Sequence, residues 1–236
     1  MSRIVSASLG TAVWRAGLAD PYLHWRRKKS AWELAVSWES RRGTESGLPD
    51  EVYEALHSHV AFREPALLLG IVEHRVALDT PKTPSQNDLW CMLSTATGHV
   101  SVAVEGKAGE DFDRRLKDWF GSGKEKDGKE RRLKFLCDVL GIKEAPALTL
   151  RYQLFHRAAS AVLEARRWRI GRALMLVQSF SESATSWQDY VDFAELLGLS
   201  VARNTVSGPV MLDGVELYVG WVHSEVASDE VAATAV

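Results

Sequence analysis

PSQNDLWCMLSTATGHVSVAVEGK, residues 84–107, is the stretch that decides how this chain is read. Two short apolar runs lie in it. Asp88 opens the first, Glu105-Gly106-Lys107 closes the second, and Thr97-Gly98-His99 lies between them. Apolar runs bounded by polar, turn-forming residues predict two strands, 88–95 and 99–107, joined as a hairpin. The hairpin carries a carboxylate at the start of one strand towards a carboxylate and an amine at the end of the next. Two carboxylates and a lysine on one sheet edge can hold a divalent metal and activate a water.

Strand parity sharpens the geometry. Side chains alternate with period two, so Val100, Val102 and Val104 share one face, and Ser101, Ala103, Glu105 and Lys107 share the other. Glu105 and Lys107 therefore point the same way, roughly 6–7 Å apart along the strand. The valine face is expected to pack on a helix, and the Glu/Lys face to look into a cleft. A turn centred on positions 97 and 98 sets Asp88 opposite a residue near Lys107, and a bulge or shifted turn brings it to Glu105. The alternative for the same residues is a solvated strand end on which Glu105 and Lys107 merely pair, an arrangement worth little.

An Asp, a hairpin and then Glu-x-Lys on the second strand resembles the PD-(D/E)xK nuclease superfamily, whose members share the restriction-endonuclease-like fold. The wider PSQND and AVEGK pattern also resembles an uncharacterised bacterial protein family across most of the chain. Asn87 precedes the Asp where the superfamily name has proline; the nearest proline is Pro84. The resemblance implies Asp88 and Glu105 as ligands of Mg²⁺ or Mn²⁺ and Lys107 as the charge that polarises water or contacts phosphate. It implies auxiliary roles for an acid from the first helix (Glu33 or Glu39) or for Glu73 on the first strand, although for each of these a solvated face is the better reading. Gln153 on the long helix resembles a glutamine at the corresponding place in some nuclease subfamilies. Ser85, Gln86 and Asn87 could bond phosphate or simply form the turn before the strand. The implied function is metal-dependent hydrolysis of phosphodiester bonds in nucleic acid, DNA favoured over RNA, with a homodimer as a common arrangement. The alternative is a nuclease-fold protein without catalysis, acting as a binding or scaffold module.

The rest of the sequence fits one α/β domain spanning 1–236, with a mixed sheet flanked by helices. Ser30 reads as the N-cap of a helix over 31–42, with Glu33 completing a capping box. A second helix is expected at 50–60, and a strand at 66–78 with a break at Gly70. Helices follow at 110–120 and 129–140 around the loop Gly121–Gly128, then a long helix at 148–168 and a buried strand at 172–180. Ser186 reads as the cap of a helix to Leu197, and 215–222 as a last strand. The skeleton is helix, three strands, helix, strand, an αβββαβ core in which 108–147 is a helical insertion. Residues 1–24 read as weakly structured and 224–236 as a flexible tail.

Composition narrows the classes. At 46% hydrophobic and 25% charged, 236 residues can bury a sizeable core. A formal charge of −2 provides no global basic field, so phosphate contacts would need local patches. Candidates are Arg26-Arg27-Lys28-Lys29, the basic stretch 113–134, and the six arginines of 151–172; solvated helix faces explain them as well. Of the nine tryptophans most are expected in the core, with one or two available to stack on bases. Cys91 and Cys137 read as reduced core residues, which fits a cytoplasmic location. No hydrophobic leader follows Arg3, and the apolar run 65–72 is too short to span a bilayer, so no membrane partner is expected. His57 and His59 diverge on a helix, Gly121-Ser-Gly-Lys lacks P-loop spacing, and no Ser–His–Asp arrangement is visible.

Overall fold

The computed structural model describes residues 10–18, 20–121, 126–181 and 184–234. Elements follow in the order α1 (Thr11–Gly17), α2 (Pro21–His24), α3 (Ser30–Glu39), α4 (Asp50–His57), β1 (Ala66–Val76), β2 (Ser85–Thr95), β3 (Gly98–Lys107), α5 (Leu116–Phe120), α6 (Lys126–Val139), α7 (Tyr152–Trp168), β4 (Arg172–Ser179), α8 (Ala184–Leu196), β5 (Thr205–Leu212), β6 (Val215–His223) and α9 (Asp229–Thr234). The strands form one mixed sheet in the order β1-β2-β3-β4-β6-β5. β1, β2 and β3 are an antiparallel meander; β4 lies parallel to both β3 and β6, and β5 closes the far edge antiparallel to β6. The expected α/β class and the αβββαβ order are both present.

Burial on two sides explains the strand sequences. Val100, Val102 and Val104 pack with Leu34, Ala35 and Trp38 of α3. Ala103 on the opposite face joins Met175 and Val177 of β4 under the small residues Ala158 and Ala161 of α7. Those small side chains let the helix approach closely enough for Ser101 Oγ to donate to the Ala161 carbonyl at 2.9 Å. The same hydroxyl accepts from Trp90 Nε1 at 2.9 Å. β4 is buried throughout after its first residue, as a central strand between two parallel neighbours should be. Cys91 and Cys137 are both buried free thiols, as read.

Several sequence readings need correction. Ser30 is the first helical residue and caps nothing; Glu33 is buried and accepts from the backbone N–H of Lys28 and of Ala227. That second bond and the ion pair between Arg27 and Asp229 place the C-terminal segment beside α3, and Asp229–Thr234 of it is the helix α9. The described part of the N-terminal segment contains α1 and α2. α1 packs on α3, with buried Trp14 donating to Glu39 Oε1 at 2.8 Å. The long helix begins at Tyr152 rather than 148. Ser186 lies inside α8, buried, donating to the Glu110 carbonyl. β5 was missed because Gly208 and Pro209 interrupt it. A proline cannot donate to the ladder, and the register shifts between Ser207 and Val210, a bulge suited to an edge strand. Residues 1–9, the middle of the Gly121–Gly128 loop and the last two residues lie outside the described residues, and with them the Arg3 and Gly-Ser-Gly-Lys readings. Among the described residues no helix is long and apolar enough to cross a membrane.

Candidate functional site

The turn between β2 and β3 is Ala96-Thr97, one position earlier than read. Thr95 pairs with Gly98, and Thr95 Oγ1 donates to the Gly98 carbonyl at 2.9 Å while accepting from Thr97 N–H. Gly98 therefore starts the strand, in a left-handed conformation (φ 127°), instead of centring the turn. The shift matters at the other end of the hairpin. The ladder closes at Leu89–Val104, and its next step puts Asp88 opposite Glu105. There the backbone pairing gives way to a side chain: Asp88 Oδ2 accepts from Gly106 N–H at 2.9 Å.

On the other flank of β2, Val72 pairs with Leu89 and His74 with Asn87, so Glu73 stands opposite Asp88. Glu73 adopts a positive φ of 51°, an irregularity in the strand, and accepts from Gln86 Nε2 at 2.6 Å. Three carboxylates thus occupy successive strands at one level of the sheet: Glu73, Asp88 and Glu105.

Glu105 and Lys107 do point the same way, but not into a cleft. α7 covers them, leaving side-chain exposures of 4% and 6%. Lys107 Nζ donates to Glu105 Oε1 at 2.9 Å and to Gln153 Oε1 at 3.0 Å, and lies 4.9 Å from the Phe112 ring centroid. Gln153 Nε2 completes the triangle, donating to Glu105 Oε1 at 2.8 Å. This is neither the solvated pair nor the open site weighed from the sequence.

Arg157, one turn further along α7, is the member that sequence reasoning missed. Its Nε donates to Glu105 Oε2, its Nη2 lies 3.6 Å from Asp88 Oδ1, and its Nη1 donates to Ser85 Oγ at 3.3 Å. Ser85 Oγ also bonds His156 Nδ1 at 2.8 Å. A signal was present: a single arginine three residues after Leu154 and one before Ala158, on the apolar face of a helix crossing the carboxylate strand. Ser85, Gln86 and Asn87 belong to β2 and not to a turn. Ser85 joins the network; Asn87 is buried behind it, donating to the His74 carbonyl, with Oδ1 unpartnered among the described residues. Glu39, bonded to Trp14, ties two helices together.

The charges divide the carboxylates sharply. Burial, then the neighbouring Glu105 charge, push the Asp88 carboxyl up to about 8, against the pull of Arg157. Burial acts on Glu105 too, but Arg157 and Lys107 outweigh it and hold that carboxyl down at about 2. Glu73 is raised mainly by burial, partly offset by Gln86. Burial opposes the Arg157 charge, yet Glu105 and Asp88 hold it above its ordinary range. His156 is pulled well below its usual value by burial and by Arg157. One anion held low by its cations thus lies beneath α7, and beside it sits a carboxyl that burial and that anion raise, its side chain 24% exposed.

The basic stretches are largely engaged. Arg151 pairs with Asp189 and Asp111, Arg132 with Asp79, Arg172 with Glu216, and Lys134 with Asp138. Among the described residues no three His, Cys, Asp or Glu side chains converge as a metal-binding group.

Residues 7–226 match the family model described as Domain of unknown function (DUF6946). No curated protein and no solved structure matches the chain.

Proposed function

The chain belongs to the DUF6946 family, and we propose from its carboxylate cluster that it is a Mg²⁺- or Mn²⁺-dependent nuclease hydrolysing phosphodiester bonds in nucleic acid, DNA before RNA. The observation that carries the reading is the register placing Asp88 opposite Glu105, with Lys107 and Gln153 both bonded to Glu105. The order helix, three antiparallel strands, helix, parallel strand adds support, since it is that of the restriction-endonuclease-like core the motif resembles.

The donor set suits a hard divalent cation. Both groups are carboxylates, and ions of the Mg²⁺ type take one or two of these and complete their shell with water and phosphate. Burial and anionic neighbours raise the Asp88 carboxyl, the environment in which an added cation favours ionisation. Asp88 and Glu105 would hold the ion, which supplies charge neutralisation at the phosphate and a more acidic water. Lys107 and Gln153 fix the orientation of Glu105. Arg157 sets the separation of the two carboxylates and brings a permanent positive charge beside Asp88, the exposed edge of the cluster where a phosphate would enter.

The same Arg157 contact favours a second reading. A guanidinium already reaching both carboxylates satisfies the cluster internally, which is what a binding or scaffold protein without catalysis would retain. Calorimetric titration with Mg²⁺ and Mn²⁺, paired with cleavage assays on mixed DNA and RNA, separates the two. Metal binding and cleavage that both vanish in Asp88→Asn support the nuclease; a folded wild type that neither binds metal nor cleaves leaves the scaffold.

A further inference from the structure

Past Ser85 and His156 the buried network reaches the wall of a cavity of about 600 Å³, within the range of small-molecule sites. Trp119 and Tyr152 line one side of it, stacked with ring centroids 4.0 Å apart and planes 12° from parallel. Lys129, Arg131, Arg132 and Asp79 also line it, and Lys129 Nζ donates to the Phe120 carbonyl at 3.3 Å. These cations differ in their duties. Arg132 is buried and structural: it pairs with Asp79, donates to the Thr83 carbonyl at 2.9 Å, and so pins the loop between β1 and β2 onto α6. Arg131 is 67% exposed at its side chain and reaches Asp79 through Nε alone, at 3.3 Å. Its two terminal amino groups make no hydrogen bond among the described residues, so they can present a fork to an incoming anion. Lys129 Nζ lies 5.9 Å from the Trp119 ring centroid, placing positive charge beside the aromatic wall.

A planar aromatic wall beside the open guanidinium fork of Arg131 suits a ligand that is both flat and anionic. We propose that this cavity is a nucleotide-binding pocket, with the base against the Trp119–Tyr152 pair and the phosphate held by Arg131. The inference goes beyond the nuclease reading and does not require cleavage at Asp88. The contact sequence His156–Ser85–Arg157–Glu105 nevertheless connects pocket and carboxylates, so a nucleotide bound here adjoins the proposed site of hydrolysis.

The test uses the full chain in metal-free buffer, titrated with deoxyadenosine monophosphate and followed by tryptophan fluorescence and calorimetry. Deoxyadenosine and inorganic phosphate are titrated alongside. Base stacking on the aromatic wall should make the monophosphate bind at least ~5-fold more tightly than phosphate alone. Arg131→Ala, at an exposed position where folding is not at stake, should weaken binding and lower the salt dependence by about one ion. A short single-stranded oligodeoxynucleotide that binds more tightly than the monophosphate assigns the occupant to a nucleic-acid strand; equal binding assigns it to the free nucleotide. No binding by the monophosphate, equal binding by phosphate alone, or no change in Arg131→Ala overturns the proposal. Since neither metal nor cleavage enters the measurement, its failure would leave the nuclease reading standing, and the converse holds too.

Discussion

Gln153 and Arg157 stand one turn apart on α7 and take the two oxygens of the same carboxylate, Gln153 through Nε2 to Glu105 Oε1 and Arg157 through Nε to Glu105 Oε2. A strand carboxylate is thereby clamped by a helix, and the sheet cannot shift under α7 without breaking charged bonds in a dry interior. Breaking a buried ion pair by removing one partner costs about 3–5 kcal/mol, because the other charge is left buried. Arg157→Met is therefore expected to lose stability in that range by urea unfolding. Gln153→Leu leaves Glu105 its two cations and should cost about 1–3 kcal/mol, the scale for an unmet buried polar group. A smaller loss for Arg157→Met than for Gln153→Leu would contradict this ordering.

The two central carboxyls give the folded protein opposite pH dependences. Glu105 is held below its ordinary value, so its contribution is present above about pH 4.5 and is lost as pH falls towards about 2. Asp88 is raised to about 8, so the unfolded chain releases its proton first, and stability falls as pH climbs from about 4 to 8. Metal-free protein should accordingly melt at lower temperature at pH 8 than at pH 6. Asp88→Asn, which carries no charge, should remove that decline and melt a few degrees above wild type at pH 8. Thermal scans of both proteins across this range decide it.

Gly106, the middle residue of Glu-x-Lys, is small for a packing reason. A Cβ there would lie 3.4 Å from Leu34 Cδ2 and 3.4 Å from the Ser30 carbonyl oxygen, against the first turn of α3. Alanine just fits. Valine adds two more carbons directed at the same helix and should cost about 1–3 kcal/mol as overpacking. Because Glu105 and Lys107 flank the displaced residue, Gly106→Val should also lower any metal affinity, whereas Gly106→Ala should leave it near wild type.

Period-two alternation made the carboxylates and Lys107 legible, because a strand of valines alternating with Ser, Ala, Glu and Lys has only two faces to assign. The register was not legible: Thr97-Gly98 and Ala96-Thr97 are both acceptable turns, and the local Thr95 hydroxyl bonds that select the second leave no mark on the apolar alternation. Arg157 was counted as part of a basic stretch, since a lone arginine on an apolar helix face is explained only by what lies beneath it. Glu33 and Glu39 look solvated in a linear reading and are buried because segments far away, Ala227 and Trp14, supply their donors. β5 escaped notice because its glycine and proline mark an edge, where pairing is interrupted by design of the backbone and not by apolar pattern.

Lys107 separates a structural from a catalytic role most cleanly. Its ammonium bonds Glu105 and Gln153 beneath Phe112, yet Glu105 keeps Arg157 when it is removed. Lys107→Met preserves the stem and leaves Glu105 paired with Arg157, whereas Arg157→Met also strips Asp88 and Ser85 of their guanidinium contacts, so the lysine substitution should cost less stability. If the cluster hydrolyses phosphodiesters, the same substitution deletes a charge aimed at the reacting oxygen, and such deletions cost roughly 100-fold or more in rate. Arginine should not restore it, because a planar guanidinium is bulkier than the ammonium enclosed by Glu105, Gln153 and Phe112. A Lys107→Met protein that folds nearly as stably as wild type but has lost cleavage would mark Lys107 as part of the chemistry. Unaltered cleavage in that variant would confine it to holding Glu105.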